Sequence, residues 1–302
     1  MSKHVNPLTL PARDPAGHKG TFGTVVVIGG QAGPGRMMIG GPALTALAAL
    51  RTGAGLTQLA LPETILPAAL TIAPGATGIV LPVDEEGRLE AGASLRCLER
   101  EVARDACLVV GPGWGTGTKQ RRLLEAILAA DGPPPVIDAD GLNAMAEGQL
   151  TPARKTILTP HPGEFRRLGS VFGIEGDPTA ADERPELART LARTLDAVVV
   201  LKGPGTVISD GTDVAINATG NAALATAGTG DVLAGIIAAL VAQFGSAASP
   251  ALTGFECARL GVEIHGRAAD LWVAATGSGA GMLATDLVDM LPPVLAEQRS
   301  RG

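Results

Sequence analysis

The sequence predicts a three-layer α/β/α fold on a mostly parallel central sheet with a late antiparallel hairpin. Three observations carry that reading. Short β-rich apolar runs alternate with Ala- and Leu-rich helical stretches, the order that successive strand–helix units of a parallel sheet produce. The strand runs are continuously apolar rather than alternating, as expected of strands covered on both faces. Late in the chain, Thr206-Val-Ile-Ser209, Asp210-Gly211 and Thr212-Asp-Val-Ala-Ile216 read as two strands about an Asp-Gly turn, the signature of a hairpin.

Taken in order, residues 1–20 are polar and proline-rich and are expected to form an arm on the surface. Thr24–Ile28 reads as a buried strand ending at Gly29-Gly30, Gly41–Thr52 as a helix and Leu56–Leu61 as a strand. Ala106–Val110 is a strand ending in Gly111-Pro-Gly113, and Lys119–Ala130 is helical. Pro135–Asp138 and Lys155–Leu158 are strands, Pro185–Leu195 is a helix with Glu and Arg on its polar face, and Ala197–Leu201 is a strand. After the hairpin come helices over 222–243, 251–274 and 282–291. No linker, composition break or internal repeat divides the chain, so residues 1–302 are expected to form one domain.

Composition narrows the function classes. Hydrophobic residues make up 46% of the 302 residues, enough for a large core. Aromatics are 2% and tyrosine is absent, which removes the stacking platforms of single-strand nucleic-acid binders. A net charge of -6 argues against a binder of phosphate backbones. Anionic ligands must then be held by backbone amides and a few cations. Only five lysines occur, and Lys19 and Lys202 both stand beside glycine. Cys97, Cys107 and Cys257 are scattered, which fits a reducing compartment better than a disulfide or thiolate-metal framework. The N-terminal stretch lacks an apolar signal core. The longest uncharged apolar helical run, Val232–Ala242, is shorter than the roughly 18 residues of a membrane span. A cytoplasmic protein acting on neither membrane nor nucleic acid is expected.

The chemistry concentrates at Gly228-Thr229-Gly230-Asp231, which opens a long apolar helix. Glycines let backbone amides approach a ligand closely. A helix start adds unpaired N–H donors and the positive dipole end, a setting that favours phosphate. Gly228, Thr229 and Gly230 can therefore form an anion hole, with Asp231 placed to accept a hydroxyl proton during phosphoryl transfer. A glycine turn with Asp231 as a helix cap is the plainer reading. Five further segments fall just after predicted strands: Gly29-Gly30, Gly111-Pro-Gly113, Asp138-Ala-Asp140, Thr159-Pro-His161 and Lys202-Gly203. Ligands of open α/β sheets bind at that edge, so these segments can converge on one cleft. In Leu158-Thr-Pro-His-Pro-Gly-Glu164, Pro162 and Glu164 suit a helix start. His161 there can contact a ligand or make a structural hydrogen bond. Asp138 and Asp140 can hold Mg²⁺ through waters or cap the next helix. Lys202-Gly-Pro-Gly-Thr206 combines a cation, free amides and a hydroxyl suited to nucleotide phosphates, or makes a tight turn with a solvated lysine. Lys19 is read as an exposed arm residue. There is no GxxxxGK[ST] loop, so a P-loop enzyme is excluded, and the glycines of neither 29–35 nor 111–117 match GxGxxG spacing, which leaves a Rossmann hydride-transfer reading weak.

Together these segments resemble the ADP/ATP-dependent NAD(P)H-hydrate dehydratases, a family of ribokinase-like fold. The resemblance spans most of the chain. It rests on His18-Lys-Gly-Thr-Phe-Gly-Thr-Val-Val-Val-Ile-Gly-Gly30, Ala49-Leu-Arg-Thr-Gly-Ala-Gly-Leu56, Gly111-Pro-Gly113, Asp138-Ala-Asp-Gly-Leu-Asn143, Thr159-Pro-His-Pro-Gly-Glu164, Leu201-Lys-Gly203, Gly220-Asn221 and Gly228-Thr-Gly-Asp231. Many ribokinase-like kinases share GTGD, whereas the HKGxxG start, the TPHPGE corner and the RxGAG helix end are more specific.

The resemblance implies metabolite repair: phosphorylation of the C6 hydroxyl of the S epimer of hydrated NADH or NADPH, then loss of phosphate to restore the coenzyme. It implies Asp231 as the base on that hydroxyl and Gly228, Thr229 and Gly230 as the anion hole. Gly41, Gly113, His161 and Asp231 would contact the hydrate. Lys202, Gly203, Pro204, Gly205, Thr206 and Gly230 would line the nucleotide, ADP or ATP. Mg²⁺ would bridge the phosphates, with its protein ligands unassigned. A homo-oligomer, a tetramer or larger, and a separate epimerase are implied as well. The chain departs from the family at Gln31-Ala-Gly-Pro-Gly-Arg-Met-Met38, where a tyrosine is usual. It departs also at Gly41, where alanine is usual, and at Trp114, where a smaller aliphatic is usual. A ribokinase-like kinase of a thiazole or pyrimidine vitamin precursor and a non-catalytic nucleotide-binding protein are the competing readings.

Overall fold

The computed structural model describes residues 8–33, 35–246 and 250–301. The start of the arm, residues 1–7, lies outside them, as does Pro34 in the loop after the first strand. Four parallel strands begin or flank the centre of the sheet: β1 (Thr24–Ile28), β4 (Leu56–Pro62), β5 (Thr77–Leu81) and β6 (Cys107–Val110). Between β1 and helix α1 (Gly40–Thr52) the loop folds into a small separate hairpin, β2 (Gln31–Gly33) and β3 (Arg36–Met38). Helices α2 (Leu66–Ile72) and α3 (Ala91–Glu101) flank β5, and α4 (Thr118–Ala129) follows β6. Then come β7 (Val136–Ile137), α5 (Asp140–Gly148), β8 (Ile157–Leu158), α6 (Pro162–Val171), α7 (Arg184–Leu195) and β9 (Val198–Leu201). The last part holds β10 (Val207–Ser209), β11 (Val214–Ile216), α8 (Thr229–Leu240), α9 (Gly254–Thr276), α10 (Ala284–Asp289) and α11 (Leu291–Ser300).

The nine-stranded sheet runs β11-β10-β9-β8-β7-β6-β1-β4-β5. Strands β5 through β9 pair in parallel, and β9–β10 and β10–β11 pair antiparallel. Both faces are buried, as the uninterrupted apolar runs require. Val25 and Val27 of β1 pack with α1, α8 and α9, while Val26 and Ile28 pack with α3 to α7. Each fully buried side chain of this kind contributes roughly 1.5–3 kcal/mol. Helix α1 lies close against α8 because Gly235 has no side chain: a Cβ there would sit 2.3 Å from the Thr45 carbonyl.

Three expectations are corrected. The helix read over 222–243 begins at Thr229; Ala222–Leu224 is a separate 3-10 turn, and Val241–Gly245 continues α8 as a π-helical turn. Gly228 forces the break, with a left-handed φ of +91° and no room for a Cβ beside Leu44 and Ala284. The late hairpin turns through Asp210–Asp213, not through Asp-Gly alone, because Ser209 pairs with Val214. The Asp210 carboxylate accepts the amides of Thr212 and Asp213, and the Ser209 hydroxyl closes on Asp213. Helix α7 begins one residue earlier than expected, at Arg184, and that first residue is buried. Lys19 is exposed as expected, in a 3-10 turn over Lys19–Phe22. Among the described residues no helix is long and apolar enough to cross a membrane.

Candidate active site

Strand order reverses between β1 and β6: the chain runs from β1 to β4 and β5 on one side, then from β6 to β9 on the other. Loops leaving such a point diverge and open a crevice at the carboxyl edge. The two glycine corners meet there. The Gly30 amide donates to the Pro112 carbonyl at 2.9 Å, and a Cβ on Gly29 would lie 2.3 Å from that oxygen. Gly111, at φ +121°, faces the Asp138 carbonyl so closely that a Cβ would stand 1.9 Å from it. Between the two aspartates Ala139 takes φ +49° and ψ -120°, a strain costing about 1–3 kcal/mol that its surroundings must impose.

Helix α8 aims its start into this crevice. Its first amides, on Thr229 and Gly230, have no partner within the helix, as the first turn dictates. The Thr229 hydroxyl turns away, donating toward the Leu224 and Thr226 carbonyls at 2.8 and 3.0 Å, so Thr229 offers only its amide to an anion. Asp231 follows in the first turn, half-buried, and no other described residue donates to its carboxylate. Burial, reinforced by the Asp138 charge and opposed by Lys202, pushes its carboxyl up to about 7. Gly41 backs onto it: a Cβ there would lie 2.9 Å from Asp231 Oδ1. The Thr45 hydroxyl stands 3.0 Å from the carbonyls of both Gly41 and Asp231 and ties the two helix starts together. Gly113, at φ +57°, lies under the β2–β3 hairpin, with Met38 Cβ 3.1 Å from where its own Cβ would be.

A line of charges runs beside Asp231. Lys202 Nζ donates to Asp138 Oδ1 at 2.8 Å and lies 3.8 Å from Glu164 Oε2. Glu164 Oε1 lies 3.4 Å from His161 Nε2. Asp138 is 2% exposed and also takes the Thr159 hydroxyl at 2.7 Å. Burial draws the Lys202 ammonium down, but Asp138, Glu164 and Asp231 outweigh it and hold its pKa above the ordinary value. Burial holds the Glu164 carboxyl up against the pull of Lys202. Burial, then Lys202 and Arg167, hold His161 below its usual value. Its neutral ring accepts the Gly163 amide at Nδ1 while Glu164 Oε2 accepts the His161 amide, a reciprocal cap of α6. Asp140 accepts the Gly115 amide at 2.7 Å and the Asn143 side-chain amide at 3.3 Å.

On the far side of α8 opens a cavity of about 630 Å³, lined by all of Lys202–Thr206 and by Gly230. Leu224, Leu233 and Val262 supply apolar wall, and Asn217, Asn221 and His265 supply polar groups. His265 Nε2 donates to the Thr229 carbonyl at 2.8 Å, and burial pushes its pKa down to about 4, so the ring is neutral. The sequence-expected residues thus fall in two neighbouring groups. Gly41 abuts Asp231, and Gly113 lies beside Met38 and Pro42 at the same helix start, whereas Lys202–Thr206 with Gly230 line the cavity; His161 connects to Lys202 through Glu164.

Several contributors escaped sequence reasoning. Glu164 was read only as a partner of the helix dipole, and Thr45, His265 and Arg184 sit inside helices whose pattern gives no sign of a site. The fourfold spacing of Gly41 and Thr45 along α1 was the one available signal. As to metal, no group of three or more His, Cys, Asp or Glu among the described residues could hold an ion. Asp138 Oδ1 and both Asp140 oxygens are already engaged, leaving Asp138 Oδ2 and the Asp231 carboxylate without donors from other described residues. Such a set fits an ion carried on nucleotide phosphates through water and not a protein cage.

The strand order, the glycine corners and the GTGD helix start give the chain a ribokinase-like fold. The family model described as NAD(P)H-hydrate dehydratase matches residues 25–293. The ADP-dependent (S)-NAD(P)H-hydrate dehydratase of Neisseria meningitidis serogroup B is 37% identical over 290 residues, covering 93% of this chain and 88% of that one. The bifunctional NAD(P)H-hydrate repair enzyme Nnr of Salinibacter ruber is 37% identical over 300 residues, covering 97% of this chain. The chain spans about half the length of that bifunctional relative, 52%. The crystal structure of the ADP/ATP-dependent NAD(P)H-hydrate dehydratase from Bacillus subtilis, co-crystallised with ATP/Mg²⁺, superposes with a TM-score of 0.76 at 30% identity, covering 96% of this chain and 95% of that one. The chain belongs to the NAD(P)H-hydrate dehydratase family.

Proposed function

We propose that this protein dehydrates the S epimer of hydrated NADH or NADPH, spending ADP or ATP as phosphoryl donor. One observation carries the reading: Asp231, a carboxylate to which no other described residue donates, shares a helix start with amides unpaired within the helix, next to Gly230 in the wall of a nucleotide-sized cavity. In the forward step Asp231 accepts the proton of the C6 hydroxyl as that oxygen attacks the terminal phosphorus and displaces the shortened nucleotide, AMP from ADP or ADP from ATP. The amides of Gly228, Thr229 and Gly230 take the charge of the transferring phosphoryl group. The C6–O bond then breaks toward phosphate, driven by the ring nitrogen's electron pair, and loss of a C5 proton restores the dihydropyridine. Hydroxide is a poor leaving group and phosphate a good one, which is what the nucleotide contributes. A carboxyl near 7 suits a base that must be free at neutral pH yet basic enough to take a proton.

Lys202–Thr206 and Gly230 hold the nucleotide in this reading, and Gly41, Gly113 and His161 position the hydrate. Mg²⁺ borne on the phosphates would neutralise developing charge, with Asp138 Oδ2 reaching it through water. The same reading includes one domain over 1–302, a cytoplasmic location, a homo-oligomer of four or more copies, and an epimerase elsewhere that supplies the S epimer. Light scattering at micromolar concentration tests the oligomer. Nucleotide turnover measured with hydrated NADH, a thiazole alcohol and a pyrimidine alcohol tests the activity: consumption with the hydrate alone supports it. Consumption with either vitamin-precursor alcohol in its place removes it.

A further inference from the structure

Arg184 opens α7 and is 4% exposed. This is a costly place for a cation. The start of a helix carries the positive dipole end, and a guanidinium withdrawn from water needs a counter-charge. Among the described residues no carboxylate pairs with it, and burial draws its pKa below the ordinary value. Its donors go to main-chain carbonyls instead. Nη2 reaches Leu201 at 2.9 Å and Gly205 at 3.4 Å, and Nη1 reaches Pro178 at 2.9 Å and Lys202 at 3.4 Å. Nε is buried without a partner.

Three of those four carbonyls belong to the segment that runs from the end of β9 along the 630 Å³ cavity. The segment wraps the guanidinium closely: Gly203 has φ +138° and a Cβ on it would stand 2.9 Å from Nη1. With those carbonyls turned to the arginine, the amides of Gly203 and Gly205 donate to no protein acceptor among the described residues. A loop whose carbonyls faced the cavity would repel an anion, and one whose amides face it attracts it. A local rule of helix design is thus broken where a site stands, the usual address of such violations.

We propose that Arg184 is the positioning residue of this loop, holding its carbonyls back so that its amides meet the phosphates of a nucleoside di- or triphosphate, whose charge completes the pairing of the buried guanidinium. The inference rests on the assignment of Lys202–Thr206 to the nucleotide. It separates phosphate recognition from base recognition: adenosine gains nothing from Arg184, whereas ADP does.

Calorimetric titration of the full chain with ADP plus Mg²⁺, and separately with adenosine, tests this in the wild type, Arg184→Lys and Arg184→Met. Arg184→Met is expected to weaken ADP at least about tenfold and adenosine by less than about twofold. In turnover its KM for ADP rises while kcat at saturating ADP stays within about threefold. Arg184→Lys keeps the charge with fewer donors and falls between. Wild-type ADP affinity in both variants, or equal loss of ADP and adenosine, overturns the proposal. Should Arg184→Met fail to fold, Arg184→Lys decides on the same two ligands. A wild type that binds adenosine but gains nothing from the phosphates of ADP also overturns it. A wild type that binds neither ligand strikes instead at the nucleotide assignment and takes the inference with it.

Discussion

Replacing Asp231 with asparagine should separate stability from activity, in opposite directions and with a defined pH dependence. The carboxyl is moved from 3.8 to about 7 by burial and by the Asp138 charge. An acid whose pKa is raised in the fold binds its proton more tightly there than in the unfolded chain, so the fold loses stability as pH climbs from about 4 to about 7. Ionised, Asp231 costs the fold about 4 kcal/mol at about 1.4 kcal/mol per pH unit, and its partial exposure reduces this to about 2–3 kcal/mol. Asparagine carries no such cost. The variant should melt about 5 °C higher than the wild type at pH 8, at roughly 2 °C per kcal/mol for a chain of this size. That gain should shrink steadily toward pH 4. Nucleotide binding should persist, while turnover falls at least about a hundredfold, the usual scale for a general base. Scanning calorimetry across that pH range, with turnover at each point, measures both. A melting difference that does not change with pH refutes the buried-carboxyl argument, and near-normal turnover removes Asp231 from the mechanism.

Three further outcomes are expected. Asp138→Asn removes a charge that raises the Asp231 pKa and frees Lys202, so the acidic limb of the kcat/KM profile should move to lower pH while the rate falls; an unmoved limb breaks the proposed coupling. Gly235→Ala gains helix propensity but drives a Cβ to 2.3 Å from the Thr45 carbonyl, so it should destabilise by at least about 2 kcal/mol in denaturant titration; equal or greater stability contradicts the close α1–α8 packing. His265 titrates at about 4 when folded, below its usual 6.5, so the stability it confers is complete above about 6.5 and lost as pH falls toward 4, worth about 3 kcal/mol. His265→Gln should flatten that acid limb of the melting profile, and an unchanged limb counts against a buried neutral imidazole.

Much of this was legible because strand cores and glycine corners are local. Thr24–Ile28 needed only its apolar run, and the five segments expected at the carboxyl edge sit there because each directly follows a strand. The helix over 222–243 misled because Ala222–Ala225 has good helix propensity, while the break is set by crowding of Gly228 against Leu44 and Ala284, distant in sequence. Pairing in the late hairpin follows the Asp210 and Ser209 side-chain bonds, which the Asp-Gly pair alone does not specify. In the site, Asp231 and Lys202 were found from their glycines. The Asp138–Lys202–Glu164 line was not, since it joins two strand ends and the first turn of α6, which only the folded sheet brings together. Arg184 fell just outside the helix expected over Pro185–Leu195 and went unread, because burial by loop carbonyls leaves no mark on sequence periodicity.

The most direct test follows the absorbance band of reduced nicotinamide after mixing the protein with S-epimer hydrated NADH and Mg²⁺, with ADP, with ATP, or with neither. Recovery of the band that requires one of the nucleotides is expected, and the nucleotide that supports it names the donor. No recovery with either nucleotide, on a verified S epimer, contradicts the proposed dehydration.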